Sequence, residues 1–162
     1  MKNFLYILLL ALIAFGCKKD KKIEKNLWKN GGEWEIKSFE ESYKSTIKED
    51  YISIINNGGS IQFNKDGTGK FNYSNELAEY LEEVFYEEQI NAEFTYHFSE
   101  NSIYFIFNNI EGLGFDFEWK KDRITFGFSE TKVKYDYDSM GDTIPGSKDI
   151  KTYAIQFICE KK

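Results

Sequence analysis

The chain has 162 residues, of which 18% are aromatic and one is proline, and its formal net charge at pH 7 is −6. This acidic balance, with Arg123 as the single arginine, excludes the clustered basic face that binding to a phosphate backbone requires, so we expect no nucleic-acid partner. The length suits one domain with a real core, and the many Phe and Tyr residues favour packed β-strands over a disordered chain.

The chain begins with a short apolar segment. Lys2 precedes a chargeless run, Phe4–Phe15, which is shorter than the ~20 apolar residues that a membrane-spanning helix needs. Such a run is typical of a cleaved export signal. The end of the run, Ile13-Ala14-Phe15-Gly16-Cys17, resembles the lipobox of bacterial lipoproteins. The resemblance implies that residues 1–16 are removed and that Cys17 becomes the lipid-modified first residue; the alternative is an ordinary secretory signal.

A charged stretch follows the cysteine, and residues 17–26 are predicted to form the lipidated N-terminus and a solvated spacer. This stretch resembles the start of lipoproteins from the Bacteroidetes group, in which surface-exported members carry acidic residues after the cysteine. Here four lysines surround Asp20, so the resemblance implies an outer-membrane protein that faces the periplasm. Because acylation would occupy Cys17, Cys159 is left without a disulfide partner.

The predicted domain covers residues 27–162 and starts with a short turn and a strand. Side chains alternate along this strand, with Trp34 and Ile36 on one face and Phe39 on the other. Residues 45–58 fit either a short helix or a lid-like loop. Two alternating runs then flank Asn64–Gly69, which contains an Asp-Gly pair, and this pattern predicts a hairpin.

Residues 75–90 interrupt the strands with helical spacing. Leu77, Leu81, Val84 and Phe85 form an apolar stripe, and Ser74 or Asn75 can cap the start. The opposite face carries only acidic charges, which indicates either a solvated surface or a docking surface for a basic partner. We expect the apolar stripe to cover the open mouth of a barrel as a lid; the alternative is packing on the outer wall.

The remainder of the chain returns to strand patterns. Apolar residues fall at even positions through Phe128 and at odd positions from Val133, which predicts a turn or bulge near Glu130. Eight or nine sequential strands with one inserted helix favour a mainly β, antiparallel up-and-down barrel, a fold that removes exposed edges by closing on itself. A two-sheet β-sandwich is the alternative.

Two motifs resemble the lipocalin family. Gly32-Glu33-Trp34 stands at the start of the first strand, as the lipocalin G-x-W does, and Phe63–Gly69 is similar to a segment of lipocalin-like domains in Bacteroidetes lipoproteins. The resemblance implies a lipocalin-like barrel in which Trp34 closes one end and Gly32 permits close approach. It also implies a basic residue across the tryptophan, for which Lys151 is the nearest candidate.

No catalytic set is recognisable, so we do not expect an enzyme or a cofactor. The only histidine, His97, falls on the polar face of its strand, and Cys159 fits a small core residue. Asp136, Asp138 and Gly141 partly match a calcium loop. However, Met140 replaces one ligand and Ser147 stands where a bidentate glutamate is expected, so we predict a loop without metal.

The aromatic richness leaves two functions open. In a hollow barrel, inward aromatic residues would line a pocket for a small, largely apolar ligand in the cell envelope. In a filled barrel they would form the core, and the lipoprotein would act as a non-enzymatic structural or protein-interaction component. The candidate ligand-lining residues are Phe94, Tyr96, Phe105, Phe117 and Trp119.

Overall fold

The computed structural model of the chain describes residues 21–85, 92–99, 101–107 and 113–162. Cys17, the predicted signal and residues 86–90 of the predicted helix lie outside these ranges. Residues 21–28 are helical (α1), a single 3₁₀ turn covers Lys29–Gly31, and the inserted helix is α2 (Asn75–Phe85). The strands are β1 (Glu33–Ser45), β2 (Tyr51–Phe63), β3 (Thr68–Tyr73), β4 (Glu93–Ser99), β5 (Ser102–Ile106), β6 (Leu113–Lys120), β7 (Arg123–Lys134) and β8 (Asp149–Lys161).

The strands form one closed antiparallel barrel. Each strand pairs with the next in sequence, and β8 returns to pair with β1. The prediction of an up-and-down, lipocalin-like β-barrel with one inserted helix is therefore confirmed, and the sandwich alternative is not observed. Closure follows from the alternating apolar face of every strand, because a closed sheet buries that face and leaves no continuous edge.

The two ends of the barrel differ. Three tight hairpins, β2–β3, β4–β5 and β6–β7, lie at the end where β1 begins, and α1 enters there. We call this the closed end. The opposite, open end carries α2 and the remaining connections. There β2, β1, β8 and β7 continue beyond the four shorter strands as a four-stranded projecting sheet, formed by residues 51–57, 40–45, 149–154 and 128–134.

A bulge in β1 corrects the predicted face of Phe39. Against β8 the register shifts between Ile36 and Ser38 because β1 has one extra residue there, Lys37; against β2 the shift at the same place is opposite, and β2 has two residues, Asn57 and Gly58, where β1 has Lys37. Because such an insertion reverses the alternation beyond it, Phe39 faces the interior with Trp34 and Ile36. Phe39 is buried in the core as a result.

Two further predictions from the alternation are corrected. Residues 51–58, predicted as a helix or a loop, belong to β2. The predicted turn or bulge near Glu130 does not exist, since β7 pairs with β8 in one register from Arg123 to Lys134. Val133 is exposed on the outer face of β7, so its odd position reflects an exposed apolar side chain and not a second core run.

Part of the predicted spacer is helical in the structure. Helix α1 includes residues 21–26, and Leu27 at its end is 1% exposed in the core. Within the described parts of the chain, no helix combines the length and apolarity that crossing a membrane would require.

Candidate functional site

The closed end is built around the predicted G-x-W residues. Trp34 is 1% exposed, and its indole N–H donates a hydrogen bond of 2.9 Å to the carbonyl oxygen of Leu27. Gly32 has φ of +70°, and a Cβ atom there would overlap the carbonyl oxygen of Phe63. Only glycine adopts this conformation without strain and permits such an approach. The two residues therefore close this end with α1 packed beneath them.

The basic residue across the tryptophan is Lys161, and the expectation of Lys151 is wrong. The ammonium of Lys161 lies 5.2 Å from the centroid of the Trp34 ring, while Lys151 pairs with Asp149 at the open end. Strand β8 continues past Cys159, and this brings Lys161 opposite Trp34 in the β1–β8 register. Burial, together with the positive charge of Lys29, holds the pKa of Lys161 below its usual range.

The five candidate ligand-lining residues all belong to the inward-facing positions of β4, β5 and β6. Phe94, Tyr96 and Phe105 are buried, and Phe117 and Trp119 are partly buried against the core. The rings of Phe94, Tyr96, Phe105 and Phe117 contact other rings, as where Phe94 meets Phe105 edge-on at 4.9 Å. The Tyr96 hydroxyl donates to the carbonyl oxygen of Asn64 at 2.8 Å, and burial raises the pKa of Tyr96 far above its ordinary value.

Aromatic rings from opposite walls meet in the middle of the barrel. Phe71 projects from β3, and its ring centroid lies 6.0 Å from that of Phe157 in β8 and 6.3 Å from that of Phe126 in β7. Phe126 and Phe157 stack at 4.9 Å. Aromatic centroids 4.5–7 Å apart are in packing contact, so this central layer is filled by side chains.

The open end holds a buried carboxylate. Glu41 faces inward from β1, is 8% exposed, and accepts a hydrogen bond from the Tyr80 hydroxyl of α2. Burial, and to a lesser extent the hydrogen bond and charge of Glu41, raise the pKa of Tyr153 in β8. Among the described residues no lysine or arginine forms an ion pair with Glu41. The tyrosine hydroxyls therefore serve as the hydrogen-bond donors to Glu41, because a carboxylate without hydrogen bonds is costly to bury.

Helix α2 packs over the inner side of the open end. The Ser74 hydroxyl accepts a hydrogen bond from the backbone N–H of Leu77, which confirms Ser74 as the cap. Leu77 is fully buried and lies against Gly58, where a Cβ atom would also crowd Ile36. The Tyr80 ring contacts Phe39 at 5.7 Å. These partners face inward, so α2 covers the mouth beside β1 and β2.

The large apolar side chains that are exposed gather at one end. All those in the described residues lie on the projecting sheet or on the two connections at its tip, β1–β2 and β7–β8. They are Ile47, Tyr51, Ile52, Ile54, Val133, Tyr135, Tyr137, Met140 and Ile144. The tip is fixed by Asp149, which is 3% exposed and accepts a hydrogen bond of 2.8 Å from the Ser45 hydroxyl. Contiguous exposed apolar surface marks contact sites, so the gathering of these side chains at one end makes the open end the candidate interaction surface.

Two clefts that the described residues line open on the outer wall. One, of about 750 Å³, crosses β2 to β5 and includes Lys70 and Glu93; the other, of about 600 Å³, crosses the outer face of β1, β7 and β8 beside Ile52. Outward positions such as Ser42 and Ala154 form much of their lining. The lining also includes inward-facing positions, Phe94 in the first cleft and Glu41, Phe128 and Ile155 in the second.

The remaining candidates for chemistry lie apart from one another. His97 is exposed on the outer wall, where its ring stacks on Tyr104 at 4.9 Å. Cys159 has a free thiol and is 0% exposed, and burial raises the pKa of that thiol well above its usual range. A thiol is nucleophilic only as the thiolate, so the site of Cys159 suits core packing.

The acidic loop between β7 and β8 uses its carboxylates for turns. Asp138 accepts hydrogen bonds from the backbone N–H groups of Met140 at 2.9 Å and Asp142 at 3.0 Å. Across the described residues, no group of three or more His, Cys, Asp or Glu side chains is placed to hold a metal ion. The segment between β7 and β8 is a loop of turns, as predicted.

Sequence reasoning did not identify Glu41 or Lys161. The signal for Glu41 was an acidic residue two positions after an inward Phe39, which becomes visible only once the bulge at Lys37 is known.

Comparison with known proteins finds no matching family model and no curated protein of significantly similar sequence.

Proposed function

We propose that this chain is a non-enzymatic lipoprotein, tethered through Cys17, whose filled barrel presents an interaction surface to another component of the cell envelope. The observation that carries the proposal is the contact between Phe71 and Phe157 across the barrel. A lipocalin-type calyx needs free space at that level, and here rings from opposite walls occupy it.

The placement of the N-terminus supports a defined orientation. Helix α1 joins the closed end, where Lys161 donates a hydrogen bond of 2.9 Å to the carbonyl oxygen of Asn26. Cys17 lies four positions before residue 21, where the described part of α1 begins, so a lipid on Cys17 would hold the closed end toward the membrane. The open end, with its exposed apolar side chains, would then face away from the membrane and toward a partner.

Membrane fractionation of a cysteine variant tests the tether. Stable anchoring needs more than one acyl chain, at about 0.8 kcal/mol per buried methylene, and a diacylated Cys17 would supply it. Cys17→Ser should therefore move the protein from the membrane fraction to the soluble fraction. Cys159→Ser is the matched control and should stay with the membrane. Retention of Cys17→Ser with the membrane would contradict the tether.

The expected location is the periplasmic side of the outer membrane. The wild-type protein should co-sediment with outer-membrane markers on a density gradient. It should also resist protease added to intact cells and become sensitive once the outer membrane is permeabilised. Digestion in intact cells would place the domain on the cell surface instead.

A second candidate function, binding of a small and largely apolar ligand, is confined to the mouth. The observation that favours it is the hydrogen bond from Tyr80 of α2 to Glu41, which lies beside the half-buried Tyr153. Nile red is a suitable neutral probe. Leu81→Asp should weaken probe binding while the β circular-dichroism signal remains, whereas equal binding to the folded variant would exclude a lid role for α2.

A further inference from the structure

We propose that the free edge of β2, Tyr51–Asn57, binds an extended segment of a partner protein by strand addition. The inference rests on the proposed interaction function and names the surface and the kind of partner. It comes from the backbone pairing of the projecting sheet together with the side chains along its two edges.

Within the described ranges, no strand lies beside the outer edge of β2 from Tyr51 to Asn57. Strand β3 pairs with β2 only from Gly59 to Phe63, and the last backbone contact is the hydrogen bond of 2.9 Å from Ser74 N–H to the Gly58 carbonyl oxygen. Tyr51–Asn56 pairs with β1 on one side, whereas Asn57 lies in the register irregularity, and no described residue donates a backbone hydrogen bond to Tyr51–Asn57 or accepts one from it on the other side. Such an edge presents unpaired N–H and C=O groups, which fit another strand.

The side chains leave this edge open. No charged residue and no proline occurs from Tyr51 to Gly59, and Ile52 and Ile54 are 63% and 54% exposed on the outer face. Proteins usually protect exposed edges with charges, proline or bulges. Asn57 has a φ of +55° and lies at the end of the unpaired edge, so this irregularity does not protect the residues before it.

The opposite edge of the projecting sheet is protected. Strand β6 pairs with β7 only up to Gly127, so residues 128–134 of β7 form a second edge. This edge carries Glu130, Lys132 and Lys134, and the Lys132 ammonium pairs with the Glu130 carboxylate at 2.9 Å. The two edges of one sheet thus differ: among the residues that the structure describes, the β7 edge carries charges and the β2 edge carries none.

A second copy of this chain does not fit as the occupant. Antiparallel pairing of β2 with β2 of another copy would point the two closed ends in opposite directions. Two copies tethered at their closed ends to one membrane cannot adopt that arrangement. The occupant is therefore a segment of another protein, with aliphatic side chains at alternate positions that pack beside Ile52 and Ile54.

A peptide that copies residues 50–58 is a defined probe for this edge. The sequence is nearly symmetric about Ser53, so an antiparallel peptide places its own Ile52 and Ile54 against those of the protein. With the full chain in detergent, labelled peptide should bind saturably in fluorescence anisotropy. Hydrogen exchange should slow at the amides of Tyr51–Asn57, and a scrambled peptide should have no effect.

Matched charge substitutions on the two edges decide the outcome. Ile54→Lys should weaken peptide binding about tenfold or more, equivalent to about 1.4 kcal/mol, while Val133→Lys should leave it unchanged. Both side chains are exposed, and circular dichroism checks that both variants fold. No binding, or equal binding to Ile54→Lys and wild type, would overturn the proposal, as would self-association through this edge. Cys17→Ser should still bind the peptide, so loss of tethering and loss of edge binding are separable results.

Discussion

The ammonium of Lys161, in the last strand, lies over the indole ring of Trp34, in the first, and the same ammonium hydrogen-bonds the carbonyl oxygen of Asn26 before the barrel. One side chain thus ties α1, β1 and β8 together at the closed end. A cation within about 6 Å of an indole centroid is attracted by the ring face. This end is therefore a packed and charged closure, and the open end is left for contacts with other molecules.

Removal of the Trp34 side chain should destabilise the barrel strongly. Trp34 is fully buried, and truncation of a buried large aromatic residue to alanine costs about 3–5 kcal/mol. Chemical denaturation should show that loss for Trp34→Ala. Trp119→Ala is the matched control, because Trp119 is only partly buried, and it should lose less. An unchanged denaturation midpoint for Trp34→Ala would show that the closure does not depend on this residue.

The neighbouring glycines separate backbone strain from steric overlap. Gly31 and Gly32 both have positive φ, but a Cβ atom meets nothing within 4 Å at Gly31 and overlaps the Phe63 carbonyl at Gly32. Gly31→Ala should lose about 1–2 kcal/mol, the cost of the left-handed conformation. Gly32→Ala should lose more, as measured by urea denaturation. Equal losses would mean that close approach at Gly32 contributes nothing.

Asp149 should make stability depend on acid. Burial opposes its ionisation, but hydrogen bonds from Ser45 and Thr46 and the ion pair with Lys151 outweigh this and hold the pKa of Asp149 below its ordinary value. The folded state therefore binds fewer protons than the unfolded state, and stability falls as pH drops below the ordinary aspartate pKa of about 3.9.

The check is a comparison of denaturation midpoints across that pH range. Asp149→Asn should be less stable than wild type at neutral pH, and its midpoint should change less as pH falls below about 4. Asp142→Asn is a suitable control, since Asp142 is exposed in the β7–β8 loop. Parallel pH profiles for wild type and Asp149→Asn would count against the assigned cause.

The Cys159 thiol should be unreactive in the folded protein. It is fully buried, and burial raises its pKa, so little thiolate forms at neutral pH. Iodoacetamide should modify Cys159 only after denaturant is added, as followed by mass spectrometry of the tryptic peptides. Rapid modification under native conditions would require opening of the β1–β8–β7 wall.

Much of the barrel could be predicted from sequence because alternation along β3 to β6 is regular. Alternation with period two assigns Phe94, Tyr96 and Phe105 to inward faces, and all three are buried. Prediction failed where the alternation of apolar residues does not match which side chains are buried. In β2, Ile54 is exposed and the adjacent Ile55 is buried, while the polar Ser53 lies on the same face as Ile55. The sequence near the tip of β2 therefore shows no regular alternation of apolar and polar residues.

Long-range register explains the remaining differences. Lys161 reaches Trp34 only because β8 pairs with β1 to the end of the chain, and no local pattern distinguishes it from Lys151. Whether aromatic residues fill or line the barrel depends on rings from opposite walls, such as Phe71 and Phe157, which lie far apart in sequence. Sequence periodicity assigns a face to each residue but not the distance across the barrel.

Native mass spectrometry of the protein extracted from its own membrane tests the central claim most directly. A filled, tethered barrel predicts the mass of residues 17–162 with acyl groups on Cys17 and no additional small molecule. A non-covalent ligand bound in a one-to-one ratio would contradict the filled interior. An unacylated chain that still begins at residue 1 would contradict the tether.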